Sequence, residues 1–247
     1  MSLDWLTARP IAHRGLHDAA TGAIENTPSA MCAAIAAGYG MEVDLQISAD
    51  GEAMLHHDDE LGRLTDGTGV LAQMTAAAIK VVPYKDSSDH IITLGELCDL
   101  VGGRATLLIE LKSHLDGDLR LVKRAAEVLA SYTGPVAVMS FDPVQIEALR
   151  AMAPRITRGI TAERWYDDHE WDPLTPSQKR SMAYFLHAPR TRPQFVAYGV
   201  RDLPAVVPLI ARSLFGCRLL TWTVRTADDR RTAARYADQI IFEGFRP

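Results

Sequence analysis

The sequence is poor in the features that mark disulfide-rich, zinc-binding, secreted and membrane-spanning proteins. Its only cysteines, Cys32, Cys98 and Cys217, are too few and too scattered for a disulfide framework or a thiolate zinc site. They lie among apolar neighbours, so we expect buried, unreactive thiols. No apolar run approaches the length of a transmembrane helix, and residues 1–10 lack the apolar core of a signal peptide. We therefore expect a cytoplasmic protein that does not insert into membranes.

The chain also lacks the excess of positive charge that is typical of proteins that bind nucleic acid or anionic membranes. It has 26 Lys and Arg residues against 31 Asp and Glu residues, a formal net charge of -5 at pH 7. This balance predicts no nucleic-acid partner, although it does not describe the charge of an individual pocket. There is no glycine-rich dinucleotide-binding or P-loop pattern either. The sequence gives no indication of the oligomeric state.

What the chain does have is a regular alternation of strand-like and helix-like segments. Eight principal strands are predicted, at Ile11–His13, Gly40–Ser48, Ala105–Leu111, Val136–Ser140, Arg155–Thr161, Phe195–Val200, Arg218–Val224 and Gln239–Glu243. Each except the last precedes a predicted helix, such as Leu203–Leu214 after the sixth strand. Another is Pro28–Ala37, which has Thr27 as its N-cap and Gly38 after its end. Eight such strands within 247 residues predict a single (β/α)8 TIM barrel over the whole chain. An open, doubly wound sheet is the structural alternative.

The alternation is interrupted once, after the second strand. A short strand, Ala53–His57, leads into an irregular stretch, Asp58–Ile91, which we interpret as a small insertion within the same domain. The chain ends directly after the eighth strand, so no closing eighth helix is predicted. We expect the segment Ser2–Thr7 to cover the bottom of the barrel instead.

Two acidic residues on the second strand carry much of the functional information. Glu42 and Asp44 are two residues apart within an apolar strand, so their side chains point to the same face. Neighbouring carboxylates repel each other unless a cation neutralises them or one binds a proton. Oxygen ligands of this kind suit Mg²⁺ or Ca²⁺. The alternative is a pair of acids on the solvated face of an edge strand.

Other polar residues follow further strands, and in a barrel the carboxyl ends of the strands form the active-site face. These residues are His13, Arg14, Glu110, Lys112 and Trp222, with His56, His57 and Asp58 after the short extra strand. Each could instead have a purely structural role. His13 and Arg14 could be solvated loop residues, Glu110 and Lys112 could form a structural ion pair, and Trp222 could fill the core. His56 and His57 alternate faces, so at most one of them is expected to point at a given site.

Taken together, these side chains describe phosphate-ester chemistry. Three carboxylates could bind a divalent cation, and two cationic side chains could bind anionic oxygens. Two histidines could act as general acid and base near neutral pH.

The ordered set of short motifs resembles the glycerophosphodiester phosphodiesterase family. The motifs span nearly the whole chain: Ala12-His13-Arg14-Gly15, Glu25-Asn26-Thr27, Glu42-Val43-Asp44, Asp50-Gly51, His57-Asp58, Arg63-Leu64-Thr65, Thr93-Leu94-Gly95-Glu96-Leu97, Glu110-Leu111-Lys112 and Trp222-Thr223-Val224. Each motif alone is weak evidence for the family, whereas the occurrence of all of them in the family's order is specific. The resemblance implies a TIM barrel with an insertion after its second strand.

The resemblance also implies the role of each residue in the reaction. It implies that Glu42, Asp44 and Glu110 bind the metal, usually Mg²⁺ or Ca²⁺. It also implies that His13 and His57 act as the acid–base pair. Arg14 and Lys112 would contact the phosphate, and Trp222 would line the pocket near the glycerol moiety. Glu25 and Asn26 would lie around the metal ligands. Family substrates are glycerophosphodiesters, cleaved to sn-glycerol 3-phosphate and an alcohol.

Two positions depart from the family pattern. Ile24 stands where relatives commonly have proline, and Glu243-Gly244 follows the last strand where they usually have Thr-Asp. Glu243 is therefore expected either to take over a nearby polar role or to give that corner of the pocket a different shape.

Two other functions are compatible with these residues. A lysophospholipase D-like phosphodiesterase would act on a longer-tailed substrate and would need an exposed apolar rim, for which Val70-Leu71 and Ile79–Pro83 are candidates. A non-catalytic barrel would capture phosphodiesters without turnover, but capture alone needs no acid–base pair of histidines.

Overall fold

Eight parallel strands pair edge to edge around a closed ring in the computed structural model, which describes residues 2–247. The barrel strands are β1 (Ile11–Ala12), β2 (Gly40–Ile47), β6 (Leu107–Leu111), β7 (Val136–Ser140), β8 (Thr157–Ala162), β9 (Phe195–Gly199), β10 (Arg218–Val224) and β11 (Gln239–Phe242). The ring closes because β1 pairs with both β2 and β11. The predicted (β/α)8 barrel is confirmed, and the open-sheet alternative is wrong.

Helices alternate with the barrel strands along the chain. They are α1 (Asp4–Thr7), α2 (Pro28–Ala36), α3 (Ala76–Lys80), α4 (Leu94–Val101), α5 (Arg120–Leu129), α6 (Pro143–Met152), α7 (Pro176–Ala183), α8 (Ala188–Thr191), α9 (Val206–Phe215) and α10 (Ala227–Tyr236). None of them combines the length and the apolar character that a membrane-crossing helix requires.

The helix ends follow from local side-chain chemistry. The Thr27 hydroxyl accepts from the backbone N–H of Ala30 at the start of α2, and Gly38 follows that helix at a φ of 72°. The helix predicted from Leu203 begins only at Val206. Leu203 precedes Pro204, and a residue before proline is driven to extended backbone, so α9 cannot begin there.

The bottom of the barrel is covered by the N-terminal segment, as predicted. Leu6 of α1 is fully buried against the apolar barrel interior. The Thr106 hydroxyl, just before β6, donates to the Trp5 carbonyl at 3.3 Å, and the Gln239 amide donates to the Thr7 carbonyl at 2.7 Å. Because Thr106 and Gln239 lie at the amino ends of their strands, α1 lies opposite the face that carries the polar residues.

The insertion has more regular structure than its sequence predicted. The extra strand β3 (Ala53–Leu55) pairs antiparallel with β2, and a small hairpin follows, formed by β4 (Glu60–Leu61) and β5 (Gly69–Val70). With α3, these elements enclose a small apolar core of their own: Ile24, Met54, Leu61, Leu71, Ile79, Tyr84 and Ile91. His57 and Asp58 therefore lie between β3 and the hairpin of the insertion, both of which pack on this core.

The expectation of three buried thiols is wrong for one cysteine. Cys98 is buried and Cys217 partly buried, but Cys32 is exposed. In α2 the inward positions are Ala30, Met31 and Ala34, so helical periodicity turns Cys32 outward.

Replacing Leu6 by alanine tests the role of the N-terminal segment. The substitution leaves a cavity at the bottom of the barrel, so we expect it to lower the free energy of unfolding by about 2–5 kcal/mol in urea denaturation. Val81→Ala is the matched control because Val81 is 79% exposed, and it is expected to change stability by less than about 0.5 kcal/mol. An equal, small effect of both substitutions would contradict a packing role for α1.

Candidate active site

Two neighbouring strands bring three carboxylates together at the barrel mouth. Glu42 and Asp44 lie on one face of β2, and the register of β2 with β6 places Asp44 opposite Glu110. One oxygen from each of the three lies within 4.8 Å of the others. Their exposed fractions are only 2%, 2% and 6%. Since β2 is paired on both sides, the alternative of a solvated edge strand is wrong.

The charges of this acidic cluster are only partly balanced by the chain. The Lys112 ammonium lies 2.9 Å from Asp44 Oδ1 and also binds Glu110. Although burial opposes the effect, Lys112 and Arg14 hold the pKa of Asp44 well below its usual value. Burial, together with the Asp44 and Glu110 carboxylates, raises the pKa of Glu42 well above its usual value. A set of close, buried carboxylate oxygens with unbalanced negative charge fits a hard divalent cation such as Mg²⁺ or Ca²⁺.

Hydrogen bonds from one loop hold the carboxylates in place. The Arg14 backbone N–H donates to Glu42 Oε2 at 3.0 Å. Asn26 donates through Nδ2 to Asp44 Oδ2 at 2.9 Å and accepts the Asp44 backbone N–H at 3.1 Å. Both Arg14 and Asn26 adopt a φ of 56°, a strained conformation for residues with a side chain. The expected place of Asn26 around the metal ligands agrees with this geometry.

The Arg14 side chain belongs to a chain of ion pairs along the rim. Its Nη1 lies 2.7 Å from Glu25 Oε1, and its Nε lies 3.2 Å from Asp44 Oδ2 without the alignment of a hydrogen bond. Arg63 binds the same Glu25 oxygen at 2.6 Å and also binds Asp58 at 2.6 Å. Arg14 is therefore fixed beside the carboxylates, as its predicted role at the phosphate requires.

Each of the two histidines has a carboxylate on the same ring nitrogen. His13 Nδ1 lies 2.6 Å from Glu243 Oε2, and His57 Nδ1 lies 2.8 Å from Asp58 Oδ1. A carboxylate that accepts from Nδ1–H leaves Nε2 as the atom that can exchange a proton with a ligand. Glu243, flagged in the sequence as a departure, is thus a positioning partner of His13, and it is itself bound by Arg225 at 2.9 Å.

Of the adjacent His56 and His57, only the second faces the mouth, as strand alternation predicted. His56 is 2% exposed and its Nε2 has no hydrogen-bond partner among residues 2–247. His57 lines a cleft of about 460 Å³ together with Glu110 and Lys112.

Trp222 lies at the barrel mouth but lines a different cavity from His57. Its indole N–H donates to the Ala197 carbonyl at 3.0 Å, and its ring meets Phe141 edge-on at 5.6 Å. It lines a neighbouring cavity of about 340 Å³ together with Glu163. Phe141 therefore separates Trp222 from the cleft that contains Lys112.

The sequence interpretation missed several residues of the cleft, among them Phe141, Glu170 and Trp171. Phe141 follows β7, while Glu170 and Trp171 lie in a short helical turn of the loop after β8. The Trp- and Asp-rich composition of that loop was the available signal, but composition does not say which side chains turn inward.

The family match and the named relatives of this chain agree on one family. Residues 13–242 match the family described as the glycerophosphoryl diester phosphodiesterase family. A glycerophosphodiester phosphodiesterase of Caldanaerobacter subterraneus subsp. tengcongensis is 27% identical over 94% of this chain and 92% of its own length. Human glycerophosphodiester phosphodiesterase 1 is 30% identical over 66% of this chain and 51% of its own, so this chain spans about half of that relative.

A solved structure has the same fold. It is that of an Oleispira antarctica phosphodiesterase in complex with the product sn-glycerol-3-phosphate. It superposes with a TM-score of 0.77 at 22% identity and covers 96% of this chain and 94% of its own.

The contact between His13 and Glu243 predicts a specific dependence of stability on pH. The hydrogen bond with His13 lowers the pKa of Glu243 from its usual 4.5 to about 2, with a further contribution from Arg225. A carboxylate with a lowered pKa stabilises the fold above its unfolded pKa and loses this effect as pH falls through its folded pKa. The difference in unfolding free energy between the wild type and Glu243→Gln should therefore be largest above about pH 4.5 and shrink towards pH 2.

Urea denaturation at a series of pH values measures this difference. Asp172→Asn is the control because Asp172 is in an exposed pair with His169, and its difference from the wild type is expected to stay near zero. A difference for Glu243→Gln that is the same at every pH would show that the carboxylate charge does not stabilise the fold.

Proposed function

The chain belongs to the glycerophosphoryl diester phosphodiesterase family, and on that premise we propose that it hydrolyses glycerophosphodiesters to sn-glycerol 3-phosphate and an alcohol with a divalent cation and two histidines. One observation carries the proposal. Three buried carboxylates, two cationic side chains and two histidines with carboxylates on Nδ1 meet at one barrel mouth.

The metal ligands would be Glu42, Asp44 and Glu110, with Mg²⁺ or Ca²⁺ as the expected ion. The bound ion supplies Lewis-acid chemistry, screening the negative charge that builds on the phosphoryl oxygens. Lys112 and Arg14 would bind the remaining phosphate oxygens, Lys112 as a point charge and Arg14 through its planar guanidinium.

The histidines supply the proton transfers. One accepts the proton of the attacking oxygen as the P–O bond forms, and the other donates a proton to the alkoxide as the bond to the alcohol breaks. The attacking oxygen belongs to water, or to the glycerol 2-hydroxyl on a route through a cyclic phosphate that water then opens. Both routes use one base and one acid, in agreement with two histidines that are each held through Nδ1.

The two other functions receive less support. Of the candidates for the apolar rim of a lysophospholipase D-like enzyme, Val70-Leu71 and Ile79–Pro83, Leu71 and Ile79 are buried in the core of the insertion, whereas Val81 is exposed. For a barrel that only captures phosphodiesters, the carboxylate partners of His13 and His57 would have no function, because capture needs no proton transfer.

Replacing either histidine by alanine tests the proposed catalysis. We expect His13→Ala and His57→Ala each to lower kcat by about two to four orders of magnitude, because each removes one proton-transfer group. The assay measures release of sn-glycerol 3-phosphate from a panel of glycerophosphodiesters in the presence of Mg²⁺, Ca²⁺ or Mn²⁺. His56→Ala is the matched control because His56 points away from the cleft. Near-full turnover by His13→Ala or His57→Ala would overturn the assignment.

Asn26 provides a test of metal binding that does not depend on turnover. Removing its two hydrogen bonds to Asp44 should loosen the ligand set, and partners of metal ligands typically contribute about 10–100-fold to affinity. Isothermal titration with Mn²⁺ is therefore expected to give a weaker Kd for Asn26→Ala than for the wild type. Gln178→Ala, on the exposed helix α7, serves as the control. An unchanged Kd would show that Asn26 does not support a metal site.

A further inference from the structure

Helix α9 on the outside of the barrel is apolar almost throughout. Its ten residues, Val206–Phe215, include only two polar side chains. A helix that is apolar on all sides is normally buried on all sides, yet residues 2–247 bury only Pro208 of α9. Along one side, Val206, Ile210 and Leu214 follow one another at helical spacing and are 73%, 43% and 75% exposed. Helix α9 therefore presents a continuous apolar stripe to its surroundings.

The stripe continues onto the segment between α7 and β9. A groove of about 490 Å³ lies between this segment and α9, and Tyr184, Ile210 and Phe215 are among its lining residues. A second cavity, of about 400 Å³, also has Tyr184 in its wall and extends to Trp165 in the loop after β8. Phe215, Trp165 and Tyr184 are all more than half exposed. We call this continuous surface the α9 face, formed by Trp165, Tyr184, Val206, Ile210, Leu214 and Phe215.

Unpaired positive charge surrounds the α9 face. Residues 176–218 contain seven Lys and Arg residues and one Asp, whereas the whole chain has a formal net charge of -5 at pH 7. Lys179 and Arg180 line the second cavity, and Arg192 lines the groove. None of these three cations has an ion pair within residues 2–247, and Asp167 is the one carboxylate that lines the two cavities. The α9 face therefore combines apolar surface with a local excess of positive charge.

The charge around this apolar surface indicates which kind of partner fits it. Large exposed apolar patches mark sites of interaction. In an interfacial helix, apolar side chains enter the boundary between lipid headgroups and acyl chains, while Lys and Arg contact anionic headgroups. Trp165 and Tyr184 suit the same boundary, because each has an apolar ring system with a polar group. A second copy of this chain fits less well, since an isologous contact would gather the unpaired cations of both copies in one interface.

We propose that the α9 face binds the surface of anionic phospholipid bilayers. The apolar side chains of α9 enter the lipid boundary, and Lys179, Arg180 and Arg192 contact the headgroups. Binding of this kind needs no membrane-crossing helix. Trp165 belongs to the α9 face and also lines the mouth cavity that contains Trp222, so the bound protein holds its barrel mouth next to the lipid surface.

Co-sedimentation with vesicles measures this binding without any substrate. The full chain is mixed at low ionic strength with large unilamellar vesicles of phosphatidylcholine alone or of equimolar phosphatidylcholine and phosphatidylglycerol. We expect the protein to sediment with the mixed vesicles and to stay in the supernatant with phosphatidylcholine alone. Binding to the mixed vesicles should weaken in about 1 M NaCl, which screens the attraction between the cations and the headgroups.

Substitutions on the α9 face separate the apolar and the electrostatic contributions. Leu214→Gln and Phe215→Gln together remove apolar surface but keep a good helix former at Leu214, and we expect them to weaken binding to the mixed vesicles at least about tenfold. Arg180→Gln and Arg192→Gln should each weaken it about fivefold, because each removes one cation near the headgroups. All four side chains are exposed, so circular dichroism and urea denaturation should show folded variants.

Val81→Gln and Lys123→Gln are the matched controls, because both side chains are exposed on elements that do not contribute to the α9 face. Both are expected to bind the mixed vesicles like the wild type. Equal binding by the wild type and by the Leu214→Gln, Phe215→Gln variant would overturn the proposal, as would equal binding to the two kinds of vesicle. No binding to the mixed vesicles would also overturn it. If light scattering then shows a dimer that the same double substitution disrupts, the α9 face binds a second copy instead.

Discussion

Electrostatic repulsion among three buried carboxylates is the constraint on which the rest of the site depends. Glu42, Asp44 and Glu110 are nearly inaccessible to water, which could otherwise screen their charges. The chain offsets part of this cost with Lys112 and Arg14, each held within ion-pair distance of Asp44. Such an arrangement is costly for stability alone, and a bound divalent cation would offset the remaining repulsion.

The barrel explains how a short sequence pattern can produce this arrangement. Strand alternation places Glu42 and Asp44 on one face, and parallel pairing of β2 with β6 brings Glu110 beside them. These relations depend on local periodicity and strand order, so the sequence was sufficient to predict both the fold and the acidic cluster. The positions of His13 and His57 could also be predicted from the sequence, because His13 directly follows β1 and His57 lies just after the short strand β3.

Other parts of the site depend on contacts that local patterns do not encode. The loop after β8 turns Glu170 and Trp171 into the cleft through a single helical turn, and Trp171 is fixed by a hydrogen bond to Glu163. The Trp- and Asp-rich composition of this loop does not say which side chains face inward. The late start of α9 has a local cause, because Leu203 precedes a proline, whereas the partnership of Glu243 with His13 joins opposite ends of the chain.

Anomalous diffraction from crystals grown with Mn²⁺ tests the central claim most directly. The account predicts one strong anomalous peak at the barrel mouth, with oxygens of Glu42, Asp44 and Glu110 in its coordination sphere. A metal bound elsewhere, or no peak at concentrations that support turnover, would contradict it.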